Sequence, residues 1–191
     1  EAGRYRLAVR PLDENLFVRS IQLPGATVLA APRASAASSG KRPNVALPAN
    51  PAARDALDIK PGQQLSGVAV RLSEGASVLT GRVVAPDGAA APPFSQLRVH
   101  LIPERGDDPL RFFETTLTPD GAFTFKSLAP GRYFVLARIA PDANEATPRP
   151  AFWDADSRAR LRREAEAAAA TVELLPCQRT ADFTVLFPPP K

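Results

Sequence analysis

From Ser77 onward the chain alternates apolar and polar residues in short runs bounded by Gly, Pro and Asp, the pattern of half-buried β-strands. In SVLTGRVVAPDGAA, Leu79, Gly81 and Val83 stand opposite Val78, Thr80, Arg82 and Val84, and Pro86-Asp87-Gly88 predicts a turn. QLRVHLIP directs Leu97, Val99 and Leu101 inward and Arg98, His100 and Ile102 to the other face. RFFETTLTPDGAFTFKSL reads as a hairpin: a strand, a turn at Pro119-Asp120-Gly121, and a strand with Phe123 and Phe125 on one face and Ala122, Thr124 and Lys126 on the other. GRYFVLARIAPD supplies a further strand, and RTADFTVLF a last one with Phe183, Val185 and Phe187 on one face. Several short strands joined by turn residues predict an all-β fold, a β-sandwich.

One segment breaks the period of two. After AFWDADS, the run RARLRREAEAAAATVEL holds strong helix formers without Gly or Pro, and Asp154, Asp156 or Ser157 can cap its first turn. The expected helix is a short insertion near residues 157–169 with Leu161, Ala165, Ala168 and Val172 on one side. That small-residue face buries little apolar area, so the helix should lean on the strands and not form their core. Arg158, Arg160, Arg162 and Arg163, followed by Glu164 and Glu166, predict a solvated face with pairs along the helix.

A shorter echo of the same pattern opens the chain. GRYRLAVRPLDEN at Gly3 aligns with GRYFVLARIAPDAN at Gly131, and LDIKPGQQLSGVAVRL at Leu57 aligns with VELLPCQRTADFTVLF at Val172. Pro61 then meets Pro176, Gln63 meets Gln178, and Val70 meets Val185. Residues 1–73 therefore read as the C-terminal strands of a first module, residues 76–187 as a complete copy of the next, and residues 188–191 as a Pro-rich tail. The Ala-, Pro- and Ser-rich stretch at 31–55 has little to bury and is expected to be a mobile loop. GRYRLAVRP (with Tyr5, Leu7 and Val9 on one face), NLFVRSIQL and LSGVAVRL lack the strands that would cover them. Half a sandwich leaves apolar faces and open edges, so these strands are expected to be completed by upstream chain or by a neighbouring subunit through strand addition. Such a heterologous contact need not close and can propagate into a filament.

Composition narrows the function classes. The 191 residues are 45% hydrophobic and 23% charged, enough apolar side chains for a packed core. No run is long enough to span a membrane as a helix, and no basic and apolar leader precedes Glu1, so the chain is expected to be a processed product or a piece of a longer one. A net charge of +4, carried by 20 arginines and 4 lysines, would suit nucleic acid, but the arginines are scattered and mostly have a carboxylate nearby. No nucleic-acid partner is expected. Cys177 is the single cysteine, which excludes an intramolecular disulfide and a thiolate metal cluster; beside Pro176 in a turn it reads as a small, buried or half-buried residue.

His100, the only histidine, falls on the outward side of its strand and reads as a surface residue, with no nucleophile or carboxylate tied to it by spacing. Asp154-Ala155-Asp156 and Asp142-Ala143-Asn144 offer oxygen ligands but do not continue into a calcium-loop pattern; capping and turn formation account for them. Phe112-Phe113 and Phe152-Trp153 are the candidates for a ligand-stacking platform, against the alternative of core or interdomain packing. The chain is accordingly read as non-enzymatic, with no catalytic, cofactor-binding or metal-binding residue and no cofactor.

LTGRVVAPDGAAAPPFSQLRVHLIP followed by TLTPDGAFTFKSLAPGRYFVLAR resembles the carboxypeptidase regulatory-like domain, a transthyretin-like β-sandwich related to the collagen-adhesin B-type repeats. The resemblance rests on the G-x-V strand with its Asp-Gly turn, the strand leading to Pro103, the D-G-x-F-x-F run of Asp120 to Phe125, and the L-x-P-G-x-Y turn of Leu128 to Tyr133. It covers about half the chain. It implies a non-catalytic seven-strand module, often in tandem on secreted or cell-surface bacterial proteins, and it implies no ligand. Adhesin repeats often carry a Lys–Asn or Lys–Asp isopeptide bond, but no lysine lies between Lys60 and Lys126, so strand Val78–Val84 lacks the nucleophile. The expected role is a structural or adhesive module in an extracytoplasmic tandem array, acting as spacer, scaffold or protein-binding surface. Its expected partners are neighbouring modules or subunits, met by strand addition or end-to-end packing. The alternative is a carbohydrate-binding accessory module with Phe152 and Trp153 as its platform and a glycan as its partner.

Overall fold

Leu97, Val99 and Leu101 are sealed from solvent, as the alternation of QLRVHLIP requires, and the strand that carries them lies inside a four-stranded antiparallel sheet. The structure is a computed structural model that describes residues 3–5, 7–22, 57–62, 64, 66–85, 92–140 and 154–187. In chain order the elements are β1 (Gly3–Tyr5), β2 (Leu16–Gln22), β3 (Leu57–Ile59), β4 (Ala69–Glu74), β5 (Ser77–Val84), β6 (Leu97–Pro103), β7 (Phe113–Thr116), β8 (Ala122–Leu128), β9 (Gly131–Ile139), α1 (Ala155–Ala168), β10 (Thr171–Leu174) and β11 (Arg179–Leu186). Single 3-10 turns occur at Phe94–Gln96 and Pro109–Arg111. The fold is mostly β, in several sheets, with one helix among the described residues.

The four-stranded sheet has the order β10-β9-β6-β7, and a three-stranded sheet has the order β11-β5-β8. Both feed one hydrophobic cluster: Leu97, Val99, Leu101, Tyr133, Val135, Val172 and Leu174 from the first sheet, and Leu79, Val83, Phe123, Phe125, Leu128 and Val185 from the second. Each fully buried side chain of this kind stabilises by about 1.5–3 kcal/mol relative to leaving it exposed. Strand β11 runs parallel to β5 and steps its register between Thr180 and Phe183, where Asp182 has φ +58°. Gly81 faces that bulge, and a Cβ there would lie 2.1 Å from the Phe183 carbonyl oxygen. The glycine of the G-x-V strand is thus set by close approach of two backbones.

The hairpin expected over RFFETTLTPDGAFTFKSL is not formed. β7 pairs with β6 in one sheet and β8 pairs with β5 in the other, so the chain changes sheets at the Asp-Gly turn. The turn satisfies itself instead of zipping two strands: Gly121 N–H donates to the Thr118 carbonyl (2.9 Å), Thr118 N–H donates to the Ala122 carbonyl (2.9 Å), and the Thr118 hydroxyl accepts from Ala122 N–H (3.0 Å). Gly121, at φ +80°, lies under the Phe94 ring, with no space for a side chain.

The helix begins where Asp154 accepts a hydrogen bond from Ser157 N–H (2.7 Å), and it ends at Ala169, in the left-handed conformation at φ 54°. Leu161 and Ala165 face the protein as expected, but Ala168 is exposed and Val172 belongs to β10, where it is buried in the core. The helix covers the outer side of the four-stranded sheet through a second cluster of Ile102, Phe112, Leu136, Leu161 and Ala165.

The N-terminal strands form two separate ribbons, β1 with β3 and β2 with β4. GRYRLAVRP yields only the short β1, and residues 7–11 have no regular structure. Its register is nonetheless informative: Gly3, Arg4 and Tyr5 face Ile59, Asp58 and Leu57, while Gly131, Arg132 and Tyr133 face Leu174, Glu173 and Val172. Residues aligned in sequence are thus paired alike. β2 leans on β8 and on the Pro109–Arg111 turn, and Ile21 is buried. The predicted turn at 86–88, the loop at 31–55 and the tail at 188–191 lie outside the described residues.

Candidate functional site

The arginine run of α1 is a solvated face only in part: Arg160 and Arg163 are exposed, and Arg160 bonds Ser157 along the helix, whereas Arg158 and Arg162 turn to the protein. Arg158 occupies the helix side that also carries Leu161 and Ala165, is only 3% exposed, and donates from Nε and Nη2 to the two carboxylate oxygens of Asp107 at 2.7 and 2.9 Å. Arg162 donates to the backbone carbonyls of Glu104 (2.9 Å) and Gly106. Both guanidinium groups sit over the Phe112 ring, 5.9 and 6.0 Å from its centre. Glu164 reaches across to Arg138 on β9 (3.1 Å). These side chains dock the helix onto the sheet and the 104–108 loop instead of pairing along it. The signal in the sequence was position: Arg158 stands three and seven residues before Leu161 and Ala165, on their stripe.

His100 is buried, contrary to its reading as a surface residue. It does point away from the main core, but across the sheet it is flanked by Leu136 and Glu114, on a face that is itself covered. Burial, then the charges of Arg138 and Arg98, lower its pKa to about 3. The imidazole is therefore neutral, and its 3.7 Å approach to the Glu114 carboxylate is a contact and not an ion pair at ordinary pH. Nδ1 has no hydrogen-bond partner among the described residues.

Other candidate residues are absorbed by structure. Phe112 is buried under the helix and Phe113 packs on the core, edge-to-face with Tyr133 at 6.4 Å, so this pair presents no open platform. Phe152 and Trp153, like Asp142 and Asn144, lie outside the described residues. Asp154 is the helix cap, and the Ser157 N–H holds its carboxyl below the usual range. Tyr133 explains the L-x-P-G-x-Y turn: its hydroxyl donates to the Ala129 carbonyl (2.7 Å) and accepts from Arg111 (3.3 Å). Among the described residues, no three His, Cys, Asp or Glu side chains converge as metal ligands would, and no helix is long and apolar enough to cross a membrane.

Cys177 is exposed, where a buried or half-buried residue was expected; the turn turns it outward at φ +60°. Gly106, Asp107, Ala155, Ala159, Arg162 and Arg163 line a shallow, open depression of about 500 Å³, in which Asp107 and Arg162 are already engaged. The more open surface lies on the strands. β4 has only β2 beside it among the described residues and exposes Val70 and Leu72, while β11 exposes Leu186 at its outer edge. No protein-family model, curated protein or solved structure matches this chain.

Proposed function

We propose that the chain is a non-catalytic structural or adhesive segment of an exported bacterial tandem-repeat protein, acting as spacer, scaffold or protein-binding surface. In this reading residues 76–187 are a complete β-sandwich module of the carboxypeptidase regulatory-like kind, and residues 1–73 are the C-terminal part of another. The observation that carries the reading is the shared register: β1 meets β3 as β9 meets β10, residue for aligned residue. The two copies of the turn agree as well, with Gly62 at φ +73° where Cys177 has φ +60°.

The sandwich assignment is supported by the seven strands of two sheets that feed one core. A non-catalytic role is supported by the fate of the chemical side chains: His100 is enclosed and neutral, and Arg158 and Asp107 are spent on docking a helix. A two-stranded ribbon is marginal on its own, and among the described residues β4 leaves one edge, with Val70 and Leu72 exposed, open to a further strand. Sedimentation velocity of the full chain over a concentration series tests this. Reversible association, lost when Val70 and Leu72 are both replaced by Lys, is the expected result. A monomer at every concentration contradicts completion by neighbouring modules.

A further inference from the structure

Three segments meet where the β2–β4 ribbon joins the sheets: the turn at 12–15, the connector at 75–77 and the turn at 175–178. The connector is held on both sides. Ala76 N–H donates to the Asn15 carbonyl (2.9 Å), Cys177 N–H donates to the Gly75 carbonyl (3.1 Å), the Ser77 hydroxyl donates to the Leu175 carbonyl (2.7 Å), and Val78 N–H donates to the Gln178 carbonyl (2.9 Å). Both flanking turns are closed in themselves. Asp13 accepts from Asn15 N–H (2.8 Å), and the Gln178 side chain accepts from Leu175 N–H (2.6 Å). Glu14 ties the first turn to both outer strands of the three-stranded sheet, with Lys126 of β8 at 2.5 Å and Arg179 of β11 at 3.7 Å.

We infer that Gly75–Ser77 and its two flanking turns form a rigid joint, which locks the β2–β4 ribbon to the sheets so that both move as one body. A connector of this length in water would leave its backbone dihedrals free to hinge. Here the Gly75 carbonyl, the Ala76 N–H and the Ser77 hydroxyl are bound to the flanking turns, and Gly75, Ala76 and Ser77 are buried. Farther along the ribbon β2 contacts β8 and the Pro109–Arg111 turn, and its Ile21 is buried. The consequence is a fixed direction from one part of the chain to the next. This inference stands on the contacts themselves and not on the tandem-module reading, so it can fail or hold separately.

Backbone 15N relaxation of the full chain tests it. Residues 16–22 and 69–74 should share the rotational correlation time of residues 77–84 and 97–139. Inserting Gly-Gly between Gly75 and Ala76 should shorten the ribbon's effective correlation time by about twofold or more while the sheet amides keep their shifts. Glu14→Lys, a milder change, should speed exchange of the Ala76 amide by about threefold through loss of the two ion pairs. A ribbon that tumbles independently in the native chain overturns the joint, as does an insertion that leaves its relaxation unchanged or an Ala76 amide that exchanges like an unstructured peptide.

Discussion

His100 makes the fold sensitive to acid. In the unfolded chain its imidazole titrates near 6.5, and in the folded one burial, Arg138 and Arg98 hold it near 3. Between these values the unfolded chain binds a proton that the folded chain refuses. The contribution is therefore complete above about pH 6.5 and is lost progressively as pH falls toward 3, with a total on the order of 5 kcal/mol. Urea unfolding at a series of pH values should show this slope, and His100→Leu should flatten it. Backbone strain gives a second expectation. Ala169 and Cys177 hold left-handed conformations that cost a residue with a Cβ more than glycine. Ala169→Gly and Cys177→Gly should each raise stability by about 0.5–1 kcal/mol in thermal or urea unfolding. Alternation told correctly which way His100 points, but a period of two names faces without saying which are covered. The second face of β6 is covered by contacts made far along the chain.

Among the contacts that dock α1, the Arg158–Asp107 pair is the one that carries a buried cation. Arg158 is 3% exposed while the Asp107 side chain is 49% exposed, so water offsets part of any loss on the carboxylate side. Asp107→Ala should destabilise by about 1–2 kcal/mol because it takes a bidentate carboxylate from a buried guanidinium, whereas Arg158→Met should cost less because the buried charge is removed together with the pair. Comparing the two urea midpoints checks this asymmetry. The helix itself was legible in the sequence: helix formers without Gly or Pro and an Asp cap placed it within two residues of its observed start. The burial of Arg158 was not legible, since charge alone reads as solvation and the Asp107 partner is 51 residues away. The β7–β8 hairpin was misread for a related reason. A Pro-Asp-Gly turn between alternating runs specifies a reversal, and whether the strands then pair depends on the claims of β6 and β5 on their edges.

For the whole molecule, the alternating runs locate most of the core from the sequence, because an inward side chain every second residue is a local property. The sequence alignment of Gly3-Arg4-Tyr5 with Gly131-Arg132-Tyr133 finds a counterpart in the shared pairing register of β1 with β3 and of β9 with β10. What could not be read is how the two N-terminal ribbons lie, since β2 pairs with β4 across more than 40 residues of intervening chain. In the proposed reading β1–β4 belong to a module whose remaining strands come from a neighbour, while β5–β11 complete their own. Amide hydrogen exchange of the full chain at low and high protein concentration tests it most directly. Protection in β1–β4 should rise with concentration while protection in β5–β11 stays constant. Protection in β1–β4 that equals that of β5–β11 and does not change on dilution would contradict the claim.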